Sequence, residues 1–483
     1  MCRQMLWLPV VALNCALVVL HAHAADSVSA PRPLPVTRPE MKELIEDMKG
    51  RTPRIPLPEL TAEERAKEAA DSRSIGYEGR LRSLYLPDSE MRGSLSFGGA
   101  PRGGSGAGTG GNRPPQETDP ALTLDYRFKT MLFWIASRTN NCQYCLGHQE
   151  SKLLSAGMAE DEIAALDSEW EAFPAADRAA FALARRLTLE PNNLTDADID
   201  RCRDFFTDVQ ILEMVLSVAG NNSINRWKEG VGVPQSSGGG NFGRRTVGAS
   251  PARDAAESER HSYLTATSKR FQTAISSVAP LIRDQSGQAT TRTESVRPKL
   301  ESPAEVQEKL AAAATRSARL PVLEEDAARQ ALGEAAPTGP LPQWVRLLAN
   351  FPKAGVRTIN TIRINEEKGD LSPLTKARLS WVIARQDRAW YALAEAKRRL
   401  LDLGQTEEQI FAIDADDGKL PPTEQALLVV ARNLAASPVV LTDQQVATAV
   451  ELAGPRDVVQ AINYITGRAA FDRFTEAAAL PIE

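Results

Sequence analysis

Apolar residues recur every three to four positions along most of the chain, and no stretch replaces that spacing with a convincing alternation of period two. Arg38 to Lys49 places Met41, Leu44, Ile45 and Met48 on one face. Pro53, Pro56 and Pro58 stop that helix, and Thr61-Ala62-Glu63-Glu64 is a capping box opening another. Tyr126 to Ser137 is strongly apolar and predicts a buried helix. Amphipathic patterns follow over Glu160 to Glu171, Ala175 to Leu187 and Asp208 to Ala219. The last two present Ala180, Leu183, Ala184 and Leu187, then Ile211, Leu212, Val215, Leu216 and Ala219. The pattern predicts an all-α fold.

The same pattern returns in the second half. Gly157 and Gly404 set an offset of 247, which carries Trp134 onto Trp381, Tyr144 onto Tyr391, Pro174 onto Pro421 and Arg226 onto Arg473. Leu194-Thr195-Asp196 falls on Leu441-Thr442-Asp443 at that offset. Further upstream the offset is 265, carrying Pro56 onto Pro321, Pro87 onto Pro352 and Arg92 onto Arg357. The step between the two offsets is close to the length of a Gly-rich run at 97–118, which therefore reads as an insertion into the first copy. Matches of Pro, Gly and Trp at constant offset argue for duplication rather than shared composition.

The domain plan follows. Arg3, the apolar run Leu6 to Leu20 and Ala22-His23-Ala24 predict a cleaved signal peptide over 1–24, hence a secreted or periplasmic protein. A flexible Pro- and Ser-rich leader is expected over 25–40, and the first repeat over 41–234. A Ser-, Thr-, Gly- and Arg-rich linker spans 235–303, with room for one helix between Tyr263 and Ile282. The second repeat occupies 304–483. The two repeats are expected to pack on each other within one chain.

Composition narrows the function classes. The 483 residues are 42% hydrophobic and 25% charged, enough for two or three domains with cores. A formal net charge of -5 gives no electrostatic case for nucleic-acid binding. No phosphate loop, acid pair or nucleophilic serine arrangement appears, and no cofactor is expected.

The chemistry concentrates in Thr139-Asn140-Asn141-Cys142-Gln143-Tyr144-Cys145-Leu146-Gly147-His148-Gln149-Glu150. Without the signal peptide, Cys142, Cys145 and Cys202 are the remaining cysteines. Asn140 or Asn141 can serve as N-cap, placing both thiols in the first turn of a helix, where the dipole favours thiolate. One thiolate would attack an oxidant and become a sulfenic acid, and its neighbour would condense with it to a disulfide. His148, one turn on, could move the proton. In the second copy Cys142 becomes Ala389, Cys145 becomes Ala392 and His148 becomes Glu395, so the helix persists and the chemistry is gone.

Two alternatives stay open. A zinc site could use Cys142, Cys145, His148 and Cys202, although the usual second ligand pair is missing. A static disulfide would make the chain a scaffold or binding protein. A c-type haem is excluded because Leu146, not histidine, follows Cys145. Cys202 by itself reads as a small buried apolar residue. Tyr144 and Tyr391 hold their place in both copies, so packing explains them better than catalysis. The run Asn221 to Asn225 reads as a solvated helix end, with a pocket lining as the alternative.

These residues resemble the alkylhydroperoxidase D and carboxymuconolactone decarboxylase family. The resemblance lies in the apolar helix, Asn141-Cys142-Gln143-Tyr144-Cys145 with His148, then Lys152-Leu153-Leu154 and Gly157, and the helices through Asn221 and Trp227. It covers about 124–227, and 374–474 as a degenerate copy. It implies a compact all-helical fold that often oligomerises, and peroxiredoxin-type reduction of a small hydroperoxide recharged by a dithiol protein or lipoyl-type donor. Cys145 would then be peroxidatic and Cys142 resolving. The family's relay histidine falls at Gln149 here, and its upstream glutamate falls in Lys129-Thr130-Met131. Glu150 or Glu395 is then the carboxylate expected to substitute.

Overall fold

The buried helix anticipated from Tyr126 starts there because Asp125 caps it, its carboxylate accepting from the Phe128 N–H at 3.1 Å. It ends at Asn140 because Asn141 turns left-handed (φ 60°), a conformation asparagine tolerates. In this computed structural model the described residues are 30–63, 65, 76–86, 88–92, 97, 119–235, 262–283, 289–290, 300–415 and 420–483. The signal peptide 1–24, residues 98–118 of the Gly-rich run and 236–261 of the linker, His261 included, lie outside them.

The first half contains α1 (Arg38–Asp47), α2 (Tyr77–Tyr85), α3 (Tyr126–Asn140), α4 (Gln143–Ser155) and α5 (Glu160–Ser168). It continues with α6 (Ala175–Leu189), α7 (Asp196–Arg203) and α8 (Asp208–Val231). After the short α9 (Lys269–Gln272) come α10 (Pro303–Thr315), α11 (Glu325–Leu332), α12 (Gln343–Leu348) and α13 (Ala354–Glu367). The last five are α14 (Pro373–Asp387), α15 (Trp390–Asp402), α16 (Glu407–Ala412), α17 (Pro422–Ala435) and α18 (Asp443–Ala477). The only named strands among the described residues are a two-residue antiparallel pair, Ile282–Arg283 with Ala289–Thr290. The protein is all-helical.

The offset of 247 carries both ends of α3 onto those of α14, and both ends of α4 onto those of α15. The offset of 265 carries Arg38, the start of α1, onto Pro303, the start of α10. The gap between α7 and α8, 204–207, falls on 451–454, and α18 breaks direction at Gly454, the last of these, just before Pro455. Gly454 takes φ 79° there and Pro455 has no N–H to continue the ladder.

The long helices α8 and α18 pack together at the centre, and a reciprocal arginine clasp crosses between the halves. Arg226 Nη2 on α8 donates to Ala435 O at 2.8 Å, and Arg473 Nη2 on α18 donates to Thr188 O at 3.1 Å. Both guanidiniums are buried, and donors and acceptors are related by the same 247 residues. Around Arg226 the partners are neutral. Asn140 Nδ2 donates to Asn222 Oδ1 and Asn225 Oδ1, and Asn225 Nδ2 donates to Ser137 Oγ. The asparagine run expected at a solvated helix end therefore lies inside α8, which runs on to Val231. Asn222 and Asn225 are buried because their amides find complementary amides and hydroxyls.

The second half keeps this plan with charges in it. Asp387 replaces Asn140 and binds Arg473 through both oxygens at 2.7 and 3.2 Å. Asp472 replaces Asn225, is buried, and has no hydrogen-bond partner for either oxygen. Burial, then the Asp387 charge, pushes its carboxyl well above the usual range. A carboxyl held protonated by the fold loses stability as pH rises from its ordinary value, because only the unfolded chain ionises freely. Asp472→Asn is expected to stabilise the protein by about 1–2 kcal/mol at pH 7, since it removes the cost of holding a buried carboxyl protonated. Urea titrations at pH 5 and pH 8 check this, and the gain is expected to be larger at pH 8.

The described parts of the leader and of the linker pack against the helices. Within the leader 25–40, Leu34 is 1% exposed and α1 already begins at Arg38. The proline-rich backbone leaves carbonyls free, and buried donors take them: Arg138 Nη2 binds Pro35 O at 3.0 Å and Asn141 Nδ2 binds Pro33 O at 3.0 Å. Within the linker 235–303, residues 262–281 lie against α1 and α5. The buried Asp167 carboxylate needs donors and takes one from Ser276 Oγ, while the Ser277 N–H donates to the Asp167 backbone carbonyl at 2.8 Å. Phe271 is buried there, and only Lys269–Gln272 of the anticipated helix is helical.

Candidate functional site

The thiol turn is built from the end of α3 and the start of α4. The Cys142 N–H donates to Ser137 O at 2.9 Å, closing the left-handed turn at Asn141. The Cys142 carbonyl accepts the Leu146 N–H at 3.0 Å, which makes Cys142 itself the N-cap of α4 rather than Asn140 or Asn141. Asn140 is needed inside α3 for the amide network. Cys145 is therefore the third residue of the helix, the position whose N–H an N-cap side chain normally reaches. Ala389 repeats this backbone (φ -86°, ψ 92° against φ -89°, ψ 90° at Cys142) at the start of α15.

Both thiols are free and buried, Cys142 0% and Cys145 2% exposed. Burial pushes the Cys142 thiol well above its ordinary range. A hydrogen bond to Cys145, the Cys145 charge and the Glu229 charge push the same way, while the Cys145 N–H pulls it down. Cys142 thus holds its proton. Lys152, one face of α4 further on, is close enough to Cys145 for their charges to interact. Burial lowers this ammonium, the Cys145 charge raises it and Lys228 lowers it again.

His148 packs edge-on against the Tyr144 ring at 4.4 Å. Burial, then Lys228 and Lys152, bring the imidazole down to about 3, so it is neutral at physiological pH. The structure thus brings Cys142 and Cys145 together and sets His148 among Tyr144, Lys228 and Lys152. Gly147 is the point of closest approach on this helix: a Cβ there would lie 2.2 Å from Gln235 Nε2. Gln235 uses that nitrogen to bind Tyr144 O at 3.1 Å, tying the end of the first half over the thiol helix.

The two carboxylates named as substitutes are engaged elsewhere. Glu150 takes Arg38 through both oxygens at 3.0 and 2.8 Å and the Trp134 Nε1–H at 2.8 Å. Glu395 takes Arg468 at 3.0 Å. Both positions lie on the wall of a helix where a buried cation needs neutralising. The carboxylate beside the thiols is Glu229, at the end of α8 and 2% exposed. Its Oε2 lies 3.2 Å from Arg51 Nη2 and 3.5 Å from Arg32 Nε, and its carbonyl accepts from Arg54 Nη1 at 2.8 Å. Burial pushes its carboxyl up, but Arg51, Arg32, Arg54 and a hydrogen bond from Cys142 hold it below the ordinary value. Arg54 reaches on into the second half, to Asp443 Oδ1 at 2.5 Å and Leu441 O at 2.8 Å.

Glu229 was open to discovery from the offsets. It falls on Glu476, Arg51 on Arg316 and Arg54 on Arg319. Arg316 does bind Glu476, at 2.9 and 3.1 Å, and Arg319 Nε meets Asp196 as Arg54 meets Asp443. Cys202 is buried on α7, outside the thiol turn, and burial pushes its thiol up to about 11. No three His, Cys, Asp or Glu side chains among the described residues come together as a metal-binding group, so the proposed zinc set is not assembled. No helix among the described residues is long and apolar enough to cross a membrane.

Comparison with protein-family models and with curated proteins finds no match for the chain.

Proposed function

We propose that the chain is an exported thiol-dependent hydroperoxide reductase of the alkylhydroperoxidase type, built from an active and a thiol-free copy of one helical unit. The observation that carries this reading is the thiol pair itself: a buried N-cap cysteine with a second buried cysteine at the third helical position. The reacting form of Cys145 in this reading is its thiolate, in the first turn of α4. That thiolate attacks the distal oxygen of a hydroperoxide. The O–O bond breaks, Cys145 becomes a sulfenic acid, and the alkoxide leaves as alcohol after taking a proton. Cys142 then attacks the sulfenic sulfur, an S–S bond forms and water leaves. A dithiol or lipoyl-type donor returns the pair to thiols and is itself oxidised to a disulfide. The matching helix bounds of the two halves support the tandem architecture.

The burial of both thiols favours one other reading, a binding or scaffold protein in which the pair is structural. The two are separated by following hydroperoxide consumption by the reduced protein with excess dithiol. Turnover with reversible loss of two hydrogen masses at Cys142 and Cys145 is the expected result. A pair that closes in air and resists dithiol, with no hydroperoxide consumed, would leave the scaffold.

A further inference from the structure

The second half holds a cleft of about 220 Å³ between α13 and α18. Asn365, Glu366, Tyr464 and Arg468 line its polar side, Ile362 and Phe471 its apolar side. Its polar wall is not inherited from the duplicated plan. At the offset of 247, Tyr464 stands for Ser217, Arg468 for Asn221 and Glu395 for His148. Neutral groups of the first half have become a tyrosine and an ion pair.

Arg468 is the centre of that wall. Its side chain is 4% exposed, and its guanidinium lies over the Phe471 ring at 4.2 Å. Nη2 donates to Glu395 Oε2 at 3.0 Å, and Nη1 reaches Glu366 Oε1 only at 3.5 Å. The Nε–H is buried and donates to nothing. An arginine engaged fully by carboxylates presents them with paired donors. Here one donor of the Nε–Nη2 edge is left over, and its desolvation goes uncompensated until an acceptor arrives. The neighbouring groups are already taken. Glu366 accepts the Tyr464 hydroxyl at 2.8 Å and pairs with Arg399 Nη2 at 2.6 Å. Lys376 Nζ spends its donors on the Glu366 and Lys368 carbonyls at 3.0 and 2.6 Å. Arg468, Arg399 and Lys376 thus face Glu366 and Glu395, which leaves one positive charge in excess.

We infer that this cleft binds a short-chain monocarboxylate, its carboxylate on the Nε–Nη2 edge of Arg468 and its alkyl chain against Ile362 and Phe471. The free donor asks for an acceptor, and the excess charge asks for a single negative one. A planar carboxylate matches the edge of a guanidinium. A dianion such as phosphate would overshoot the charge beside Glu366 and Glu395. The volume limits the chain to a few carbons. The site belongs to the half without thiols and does not depend on the thiol chemistry.

The probe is sodium butyrate, with 1-butanol as the uncharged match, followed by saturation-transfer NMR on the whole protein at constant ionic strength. Saturable binding of butyrate is expected with a dissociation constant of about 1 mM, as suits so small a ligand. Butanol is expected to give no saturable signal. Arg468→Gln is expected to weaken butyrate binding at least about tenfold, and Glu395→Gln, which removes the competing charge from Nη2, to tighten it about tenfold. Should Arg468→Gln fail to fold, Asn365→Phe crowds the cleft with the ion pairs intact and is expected to abolish binding. No saturable butyrate signal, or binding unchanged by Glu395→Gln and Asn365→Phe, would leave the cluster a purely structural one. Equal binding of butanol would overturn the carboxylate assignment.

Discussion

Cys145→Ser is expected to abolish hydroperoxide turnover, a loss on the order of 10³-fold or more, because the attacking atom is gone. Cys142→Ser is expected to differ in kind. Steady turnover fails, but one equivalent of hydroperoxide is still consumed, and the Cys145 sulfenic acid persists for trapping by dimedone. Folding is not the weak point of this pair of variants. Cys142 is the N-cap of α4, and serine is among the best residues for that place. The measurement is hydroperoxide loss against time, with the trapped adduct located by mass spectrometry. An adduct on Cys142 in Cys145→Ser, with none on Cys145 in Cys142→Ser, would reverse the roles assigned to the two thiols.

Breaking the central clasp is expected to give the largest stability loss. Arg473→Ala leaves Asp387 buried and unpaired beside Asp472, and should cost about 3–5 kcal/mol. Arg226→Ala removes the same reach across the interface, but its partners are the neutral Asn140, Asn222, Ser437 and Ala435. Its loss should be smaller, about 1–3 kcal/mol, the cost of neutral groups left unsatisfied. Urea unfolding of the two variants gives the comparison directly. Equal losses would mean that the Asp387–Arg473 charge pair adds nothing beyond the shared hydrogen bonds.

Much of this architecture was legible because it is written twice. Constant offsets of Pro, Gly and Trp located both halves, and the helical period placed α3, α4, α6 and the start of α8 within a few residues. The length of α8 was not legible. Its polar run Asn221 to Asn225 looks like an end, and only the amides of Asn140 and the hydroxyl of Ser137 make it tolerable inside. The order in 30–37 and 262–281 was equally hidden. It depends on buried donors and acceptors far away in sequence, Arg138, Asn141 and Asp167, which no local window contains.

The thiols were found by spacing, since two cysteines and a helix start leave few readings. The carboxylate expected to serve the thiols has other partners. Glu150 is near in sequence, but a buried Arg38 claims it, and the chain supplies the nearby acid from a helix that ends some eighty residues later. His148 lies within one turn of Cys145, yet the charges acting on it are those of Lys228, Lys152 and Glu78. Sequence separation along a helix gives reach. It does not give direction.

The clasp between α8 and α18 has one consequence for how the protein behaves on dilution. Two separate subunits joined by such an interface would part at low concentration. Here the halves belong to one polypeptide, so each arginine meets its carbonyl at an effective local concentration of order millimolar, whatever the concentration in the flask. The contact from Arg54 to Asp443 across the halves is then likewise a first-order property of the chain. Its strength should be the same at nanomolar as at micromolar protein.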